Sequence, residues 1–87
     1  MSEHDEFMTA FCLAVNAVKR ITLTPDALKL DQYLGGDLGI DSVEMLEIWF
    51  RIEKALALHI PDSGKRDIYS VGEVIGVIER HMTTNSI

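Results

Sequence analysis

One serine of this chain stands where its neighbours favour phosphate chemistry. The run 35–50, GGDLGIDSVEMLEIWF, changes at Asp41 and Ser42 from a glycine-containing stretch to a strongly helical, apolar-rich one. Asp41 and Glu44 have the spacing of a capping box, which predicts Asp41 as the N-cap and Ser42 as the first helical residue. A phosphate ester on Ser42 would meet free backbone N–H groups and the positive end of a helix dipole.

Two other interpretations of Ser42 stay open at this stage. A serine at the start of a helix is most often just a cap or a solvated residue of the first turn. Nucleophilic catalysis is a second alternative, although GIDSV is not the G-x-S-x-G motif. It would need a histidine nearby, and His59 is the only one away from the chain ends, His4 and His81 being close to them. A hydrolase therefore requires the fold to bring His59 to Ser42.

Metal and nucleotide sites are poor fits to the same region. The aspartate-rich segment 31–42, DQYLGGDLGIDS, resembles a calcium loop only in the glycine at its sixth position, Gly36. No Gly-Lys-Ser/Thr follows the glycines, so a Walker phosphate loop is rejected. No histidine or cysteine spacing suggests zinc.

A group of acidic residues lies on or just before the second predicted helix. Such a run usually marks a solvated face. Apolar residues interleaved with these acids favour instead a docking strip for basic partners, although the apolar residues are equally compatible with the core. The acids are Asp37, Asp41, Glu44, Glu47 and Glu53, and the apolar residues are Val43, Leu46 and Phe50.

Apolar periodicity predicts three main helices. The first covers about 3–21, the second starts at Asp41, and the third starts at the capping box of Ser70 and Glu73. The second helix has a broad apolar arc and a narrower one, so we expect it to be central and to pack against several neighbours. Trp49 and Phe50 are interpreted as core residues, with the shaping of a cavity as the alternative.

The remaining segments predict a long loop and one short helix. The loop, about 22–40, is expected to contain one helical turn at Thr24 and to pack its apolar residues on the helices; these are Leu28, Leu30, Tyr33, Leu34 and Leu38. The short helix runs from about Pro61 to Asp67. We therefore predict a single all-α domain over 1–87, a small bundle of three main helices plus one short helix, frayed at 1–2 and 83–87.

Composition limits the class of partner. The chain is 47% apolar and carries 14 acidic against 8 basic residues, a formal net charge of −6. A folded acidic domain repels nucleic acid and anionic membranes, so we expect neither as a partner and no membrane insertion. The single cysteine, Cys12, allows no internal disulfide, and the acidic N-terminus does not resemble a signal peptide. These features predict a cytoplasmic protein, and we expect a monomer because one small core accounts for the apolar residues.

The segment DLGIDSVEMLEI closely resembles the Asp-Leu-Gly-x-Asp-Ser-Leu motif of acyl carrier proteins and of the related carriers in polyketide and nonribosomal peptide synthesis. The segment HIPD and the later Ile68 and Val71 also resemble the family. The similarity is specific from Asp37 to Val71 and extends less specifically over nearly the whole chain.

This resemblance implies that Ser42 carries a covalent 4′-phosphopantetheine arm, transferred from coenzyme A by a phosphopantetheinyl transferase. The arm would hold acyl groups as thioesters, and the chain itself would catalyse nothing. Acyl-loading, condensing or acyl-transfer enzymes with basic docking surfaces would bind the second helix, and Leu46 and Phe50 would border the resting site of the arm. The family's docking positions match Asp41, Val43, Glu47 and Glu53 in this sequence.

Several residues depart from the family's common pattern. Val43 replaces the usual leucine, Arg51 and Lys54 place positive charge on the second helix, and Gly72 and Gly76 weaken the last helix. These departures favour a specialised lipid or polyketide pathway over housekeeping fatty acid synthesis. An aminoacyl or peptidyl carrier and a non-covalent helical adaptor with the same fold remain the alternatives.

Overall fold

The structure, a computed structural model, describes residues 3–85 and contains three α-helices in that range. They are α1 (Glu3–Lys19), α2 (Ser42–Leu56) and α3 (Val71–Asn85), with 3₁₀ turns at Pro25–Ala27 and Asp62–Lys65. No strand occurs among the described residues beyond an isolated bridge between Tyr33 and Ser70. The prediction of an all-α bundle with a long first loop is confirmed.

Several helix boundaries in the structure differ from those predicted from the sequence. The first helix ends at Lys19 rather than Ile21, because Arg20 adopts a left-handed conformation with φ of 57°. The short helix predicted from Pro61 is a 3₁₀ turn of four residues. The third helix continues through Asn85, so 83–85 are helical where fraying was expected. The predicted fraying at 1–2 and at 86–87 lies outside the described residues.

The core is formed by apolar faces that meet around α1, which packs against both α2 and α3. The expectation that the second helix is central is wrong, because only its broad arc faces inward, with Ile48, Trp49 and Ile52 buried. Its narrow arc is left on the surface. Among the core residues are Phe7, Phe11, Val15, Leu34, Ile60, Val74 and Ile78.

The long loop is fixed to the start of α3 by backbone hydrogen bonds. The Leu34 N–H donates to the Tyr69 carbonyl oxygen at 2.8 Å, and the Gly72 N–H donates to the Leu30 carbonyl oxygen at 2.8 Å. Leu28 and Leu34 are buried as expected, but Leu30 and Tyr33 have exposed side chains, which corrects the prediction for these two residues. The attachment is made by the backbone of Leu30, Gln32 and Leu34, and the Tyr33 backbone forms hydrogen bonds only within the loop.

The two glycines of α3 have different surroundings. A Cβ atom on Gly72 would lie 3.0 Å from the Leu30 carbonyl oxygen, whereas a Cβ atom on Gly76 would have no heavy atom within 4 Å. Gly72 therefore allows the loop to approach α3 closely. Gly76 has no such steric requirement.

We predict that Gly76→Ala raises the free energy of unfolding by about 0.5–1 kcal/mol, because alanine is the better helix former. For Gly72→Ala the free energy of unfolding should be lower than for Gly76→Ala by about 1 kcal/mol, since the new methyl group must displace the Leu30 carbonyl. Urea unfolding followed by circular dichroism measures both variants. An equal gain in the two would contradict the close approach at Gly72.

Candidate functional site

Ser42 is the first residue of α2, and its side chain is exposed. The capping box predicted from the sequence is present: the Glu44 N–H donates to Asp41 Oδ1 at 2.7 Å, and the Asp41 N–H donates to Glu44 Oε1 at 3.0 Å. The first N–H groups of a helix have no partner within the helix. Because the box satisfies those of Asp41 and Glu44, the N–H groups of Ser42 and Val43 remain for another acceptor.

The chain that leads to Ser42 is held from both sides. Gly39 has a positive φ of 66°, a conformation that glycine adopts without strain. Lys19 on α1 donates to the Gly39 carbonyl oxygen at 2.7 Å and lies 3.1 Å from the Glu44 carboxylate. Asp37 accepts a hydrogen bond from the Tyr33 N–H at 2.7 Å. The start of α2 is thus fixed relative to α1 and to the loop.

A pocket of about 470 Å³ opens beside Ser42. It lies between the long loop, the first two turns of α2 and the segment that precedes α3. Its apolar lining is Leu34, Ile40, Met45, Leu46, Trp49 and Ile68, and polar groups from Tyr33, Lys65, Asp67 and Tyr69 also line it. An apolar pocket that adjoins an exposed hydroxyl can shelter part of a group attached to that hydroxyl.

Two tyrosines at this pocket have exposed side chains. The Tyr69 hydroxyl donates to Asp67 Oδ1 at 3.2 Å. This hydrogen bond, together with the negative charge of Asp67, raises the pKa of the Tyr69 phenol. Tyr69 is therefore a neutral donor at physiological pH.

The narrow apolar arc of α2 faces solvent. Val43 is 74% exposed, Leu46 is 65% exposed and Phe50 is 61% exposed. The core interpretation is therefore correct for Trp49, which is 2% exposed, and wrong for Phe50. Exposed apolar residues in a row, beside an exposed serine, are typical of an interaction surface.

Most of the acidic residues near this surface are already paired within the chain. The Glu47 carboxylate lies 3.1 Å from Nε of Arg51, and the Glu44 carboxylate lies 3.1 Å from Nζ of Lys19. The Glu53 side chain is only 16% exposed and lies 2.7 Å from Nζ of Lys65. Of the proposed docking residues, Glu53 therefore offers the least surface to a partner.

His59, the histidine that the hydrolase hypothesis requires, does not lie near Ser42. His59 follows the C-terminal end of α2, whereas Ser42 begins it, so the length of the helix separates them by about 21 Å. Instead, His59 Nδ1 lies 3.5 Å from the Glu53 carboxylate. Among residues 5–82, whose side chains the structure describes, no histidine lines the pocket at Ser42. The hydrolase hypothesis requires His59 within hydrogen-bond reach of Ser42, and this distance does not meet that requirement.

Neither a candidate metal site nor a candidate membrane span occurs in the described part of the chain. Among the described side chains, those of residues 5–82, no group of three or more histidine, cysteine, aspartate or glutamate residues is placed to hold a metal ion. Over residues 3–85, no helix has the length and apolar character needed to cross a membrane. Cys12 is buried, and burial raises the pKa of its thiol.

The sequence predicts Ser42 at the helix start and its cap, leaves open whether Val43, Leu46 and Phe50 are exposed, and does not indicate the pocket. Lys65 and Asp67 come from a segment that was interpreted only as a short helix. Tyr33 was expected to be packed on the helices. The long loop with many apolar residues was a general signal of a site, without indicating which side chains would line it.

Comparison with known proteins gives the same family as the motif. No protein-family model matches the chain. An acyl carrier protein of Campylobacter hominis is 34% identical over 62 residues, which cover 71% of this chain and 78% of that protein. The acyl carrier protein of Renibacterium salmoninarum is 30% identical over 78 residues, covering 90% of this chain and 94% of that protein.

The chain belongs to the acyl carrier protein family. A further relative, the acyl carrier protein of a Sulfurovum species, is 34% identical over 62 residues, covering 71% of this chain and 83% of that protein. The resemblance carried by the segment around Ser42 is therefore confirmed at the level of the family. Within this acyl carrier protein fold, the serine of the motif is the exposed residue that begins α2.

We predict that Asp41→Ala lowers the free energy of unfolding by about 1 kcal/mol, because it removes the cap of α2. Asp41→Asn should retain most of the stability, since asparagine caps as well as aspartate. Ser42→Ala should cost well under 1 kcal/mol, because the side chain is exposed. Urea unfolding of the three variants tests this order, and a larger loss for Ser42→Ala than for Asp41→Ala would refute it.

Proposed function

We propose that this protein carries acyl groups on a 4′-phosphopantetheine arm attached to Oγ of Ser42. The proposal is supported most directly by the exposure of Ser42 at the first position of α2, next to an apolar pocket. Membership of the acyl carrier protein family supports it independently. The terminal thiol of the arm supplies the chemistry, since it holds the acyl group as a thioester.

The residues at the start of α2 fit the phosphate group of such an arm. The unpaired N–H groups of Ser42 and Val43 would donate hydrogen bonds to its oxygens. The helix dipole favours negative charge at the same place. Asp41 has its carboxylate turned to the Glu44 N–H, so it organises the helix start without occupying the position of the phosphate.

The pocket beside Ser42 would receive the apolar part of the cargo. Leu46 and Trp49 form its α2 side, and Leu34 and Ile40 form its loop side. Burying apolar surface there is favourable by roughly 25 cal/mol per Å². A tethered acyl chain would thus spend part of its time folded back on the protein, with its thioester shielded from water.

Partner enzymes would dock on the exposed face of α2. A phosphopantetheinyl transferase would bind at the Ser42 end, where Asp37 and Asp41 attract basic residues. Acyl-loading, condensing or acyl-transfer enzymes would contact the exposed row of Val43, Leu46 and Phe50, with Glu44 and Glu47 at its side. The protein presents the cargo, and the partners supply the catalysis.

A specialised acyl or polyketide pathway is proposed over housekeeping fatty acid synthesis. Arg51 and Lys54 add positive charge to the docking helix, and Phe50 places a large aromatic ring there. A non-covalent adaptor is the second candidate, favoured by the exposed apolar row alone. The two functions differ in whether Ser42 is needed.

We predict that incubation with coenzyme A and a broad-specificity phosphopantetheinyl transferase adds one phosphopantetheine group to the apo-protein. Ser42→Ala should gain nothing, because it lacks the accepting hydroxyl. Ser63→Ala is the matched control, since it removes another exposed serine and should be modified like the parent. Intact mass spectrometry before and after incubation measures all three proteins.

Modification of Ser42→Ala at the parent's rate would rule out Ser42 as the attachment point. A folded parent that gains no mass, while a known carrier in the same tube is modified, would favour the adaptor. In that case Ser42→Ala would leave function intact, and charge reversal on α2 would not.

A further inference from the structure

The exposed face of α2 changes charge along its length. Val43, Leu46 and Phe50 recur at helical spacing, so they form one row of exposed apolar side chains. The acids Asp37 and Asp41 lie at the Ser42 end of this row. Beyond Phe50, the row continues at Lys54, and Arg51 lies beside it; both are exposed.

The C-terminal half of this face has no unbalanced negative charge. Glu47 is paired with Arg51 at 3.1 Å, which leaves Lys54 as the additional charge. Nζ of Lys54 lies 5.6 Å from the centre of the Phe50 ring, a cation–π distance. The positive charge is thus held against the end of the apolar row. A partner that covers Phe50 must also accommodate Lys54.

A uniformly basic docking surface fits only the first half of this face. At the Ser42 end it would meet acids, but at the Phe50 end it would place like charges opposite Arg51 and Lys54. Like charges brought together at an interface disfavour a wrong partner. Acidic side chains at that end would instead complement Lys54 and compete with Glu47 for Arg51.

We propose that the acyl-loading or acyl-transfer partner of this protein has an apolar groove for Val43, Leu46 and Phe50, closed at its far end by acidic side chains that contact Arg51 and Lys54. The inference rests on the proposed function, because it concerns the docking face of the proposed carrier. It makes the charge of the last two turns of α2 a determinant of which enzymes bind. Carriers with an acidic second helix would bind the same partner more weakly.

The test measures whether removing the positive charge of Arg51 and Lys54 strengthens binding to a partner with a uniformly basic docking surface. The probe is a bacterial malonyl transferase chosen for a uniformly basic docking surface. It is immobilised, and its binding to the chain of residues 1–87 is measured by biolayer interferometry. The double variant Arg51→Glu with Lys54→Glu should lower Kd by about tenfold, the order expected when two exposed repulsions become attractions. The gain should vanish at about 1 M salt, where charges are screened beyond about 3 Å.

The matched control carries the same change of charge away from α2. Lys29→Glu with Arg66→Glu replaces one exposed lysine and one exposed arginine outside the docking face. It should lower Kd by less than about threefold, because distant exposed charges are screened. Circular dichroism confirms that both double variants are folded.

The outcomes separate the two proposals, because binding does not require the arm. An unchanged or higher Kd for the α2 variant, or an equal gain in the control, overturns the inference. Intact mass of the same samples after transferase treatment tests the proposed function on its own. A mass gain that depends on Ser42, together with no difference in Kd, removes only the inference about the partner.

Discussion

The reciprocal hydrogen bonds between Asp41 and Glu44 fix the residue at which α2 begins, and the site depends on that position. If the helix began one residue later, Ser42 would itself be the cap. Its hydroxyl would then be directed to a backbone N–H group of its own helix. Because Asp41 caps the helix, Ser42 keeps an exposed hydroxyl at the positive end of the helix dipole. Lys19 joins Glu44 to α1, so the bundle and the site share one ion pair.

The division of α2 into two faces connects folding with function. One face of α2 is buried against the bundle through Ile48, Trp49 and Ile52. This burial stabilises a small domain whose hydrophobic core is limited. Val43, Leu46 and Phe50 gain nothing of this kind in the isolated chain, since they remain exposed. Burial of these side chains would instead contribute to the free energy of binding a partner. The pocket lies between the two faces, where Leu46 and Trp49 both reach it.

Local signals predicted much of the fold, and contacts between distant segments were the part they did not predict. The capping boxes at Asp41 and Ser70 placed the starts of α2 and α3, because a cap depends on residues three apart. Periodicity gave two apolar arcs on α2 but not which of them faces the core, since that is decided by where α1 packs. The pocket is formed by the loop and the segment before α3, which are joined by backbone hydrogen bonds. Backbone hydrogen bonds do not depend on a particular side-chain pattern, so the sequence does not indicate them.

Peptide mapping of the modified protein tests the central claim most directly. After treatment with coenzyme A and the transferase, trypsin should release the peptide 30–51, in which Ser42 is the only serine or threonine. Fragmentation in a tandem mass spectrometer should place the phosphopantetheine group on Ser42 and leave all other peptides unmodified. Modification of a peptide that contains Ser63 or Ser70, with 30–51 unchanged, would contradict the assignment of the helix start as the attachment site.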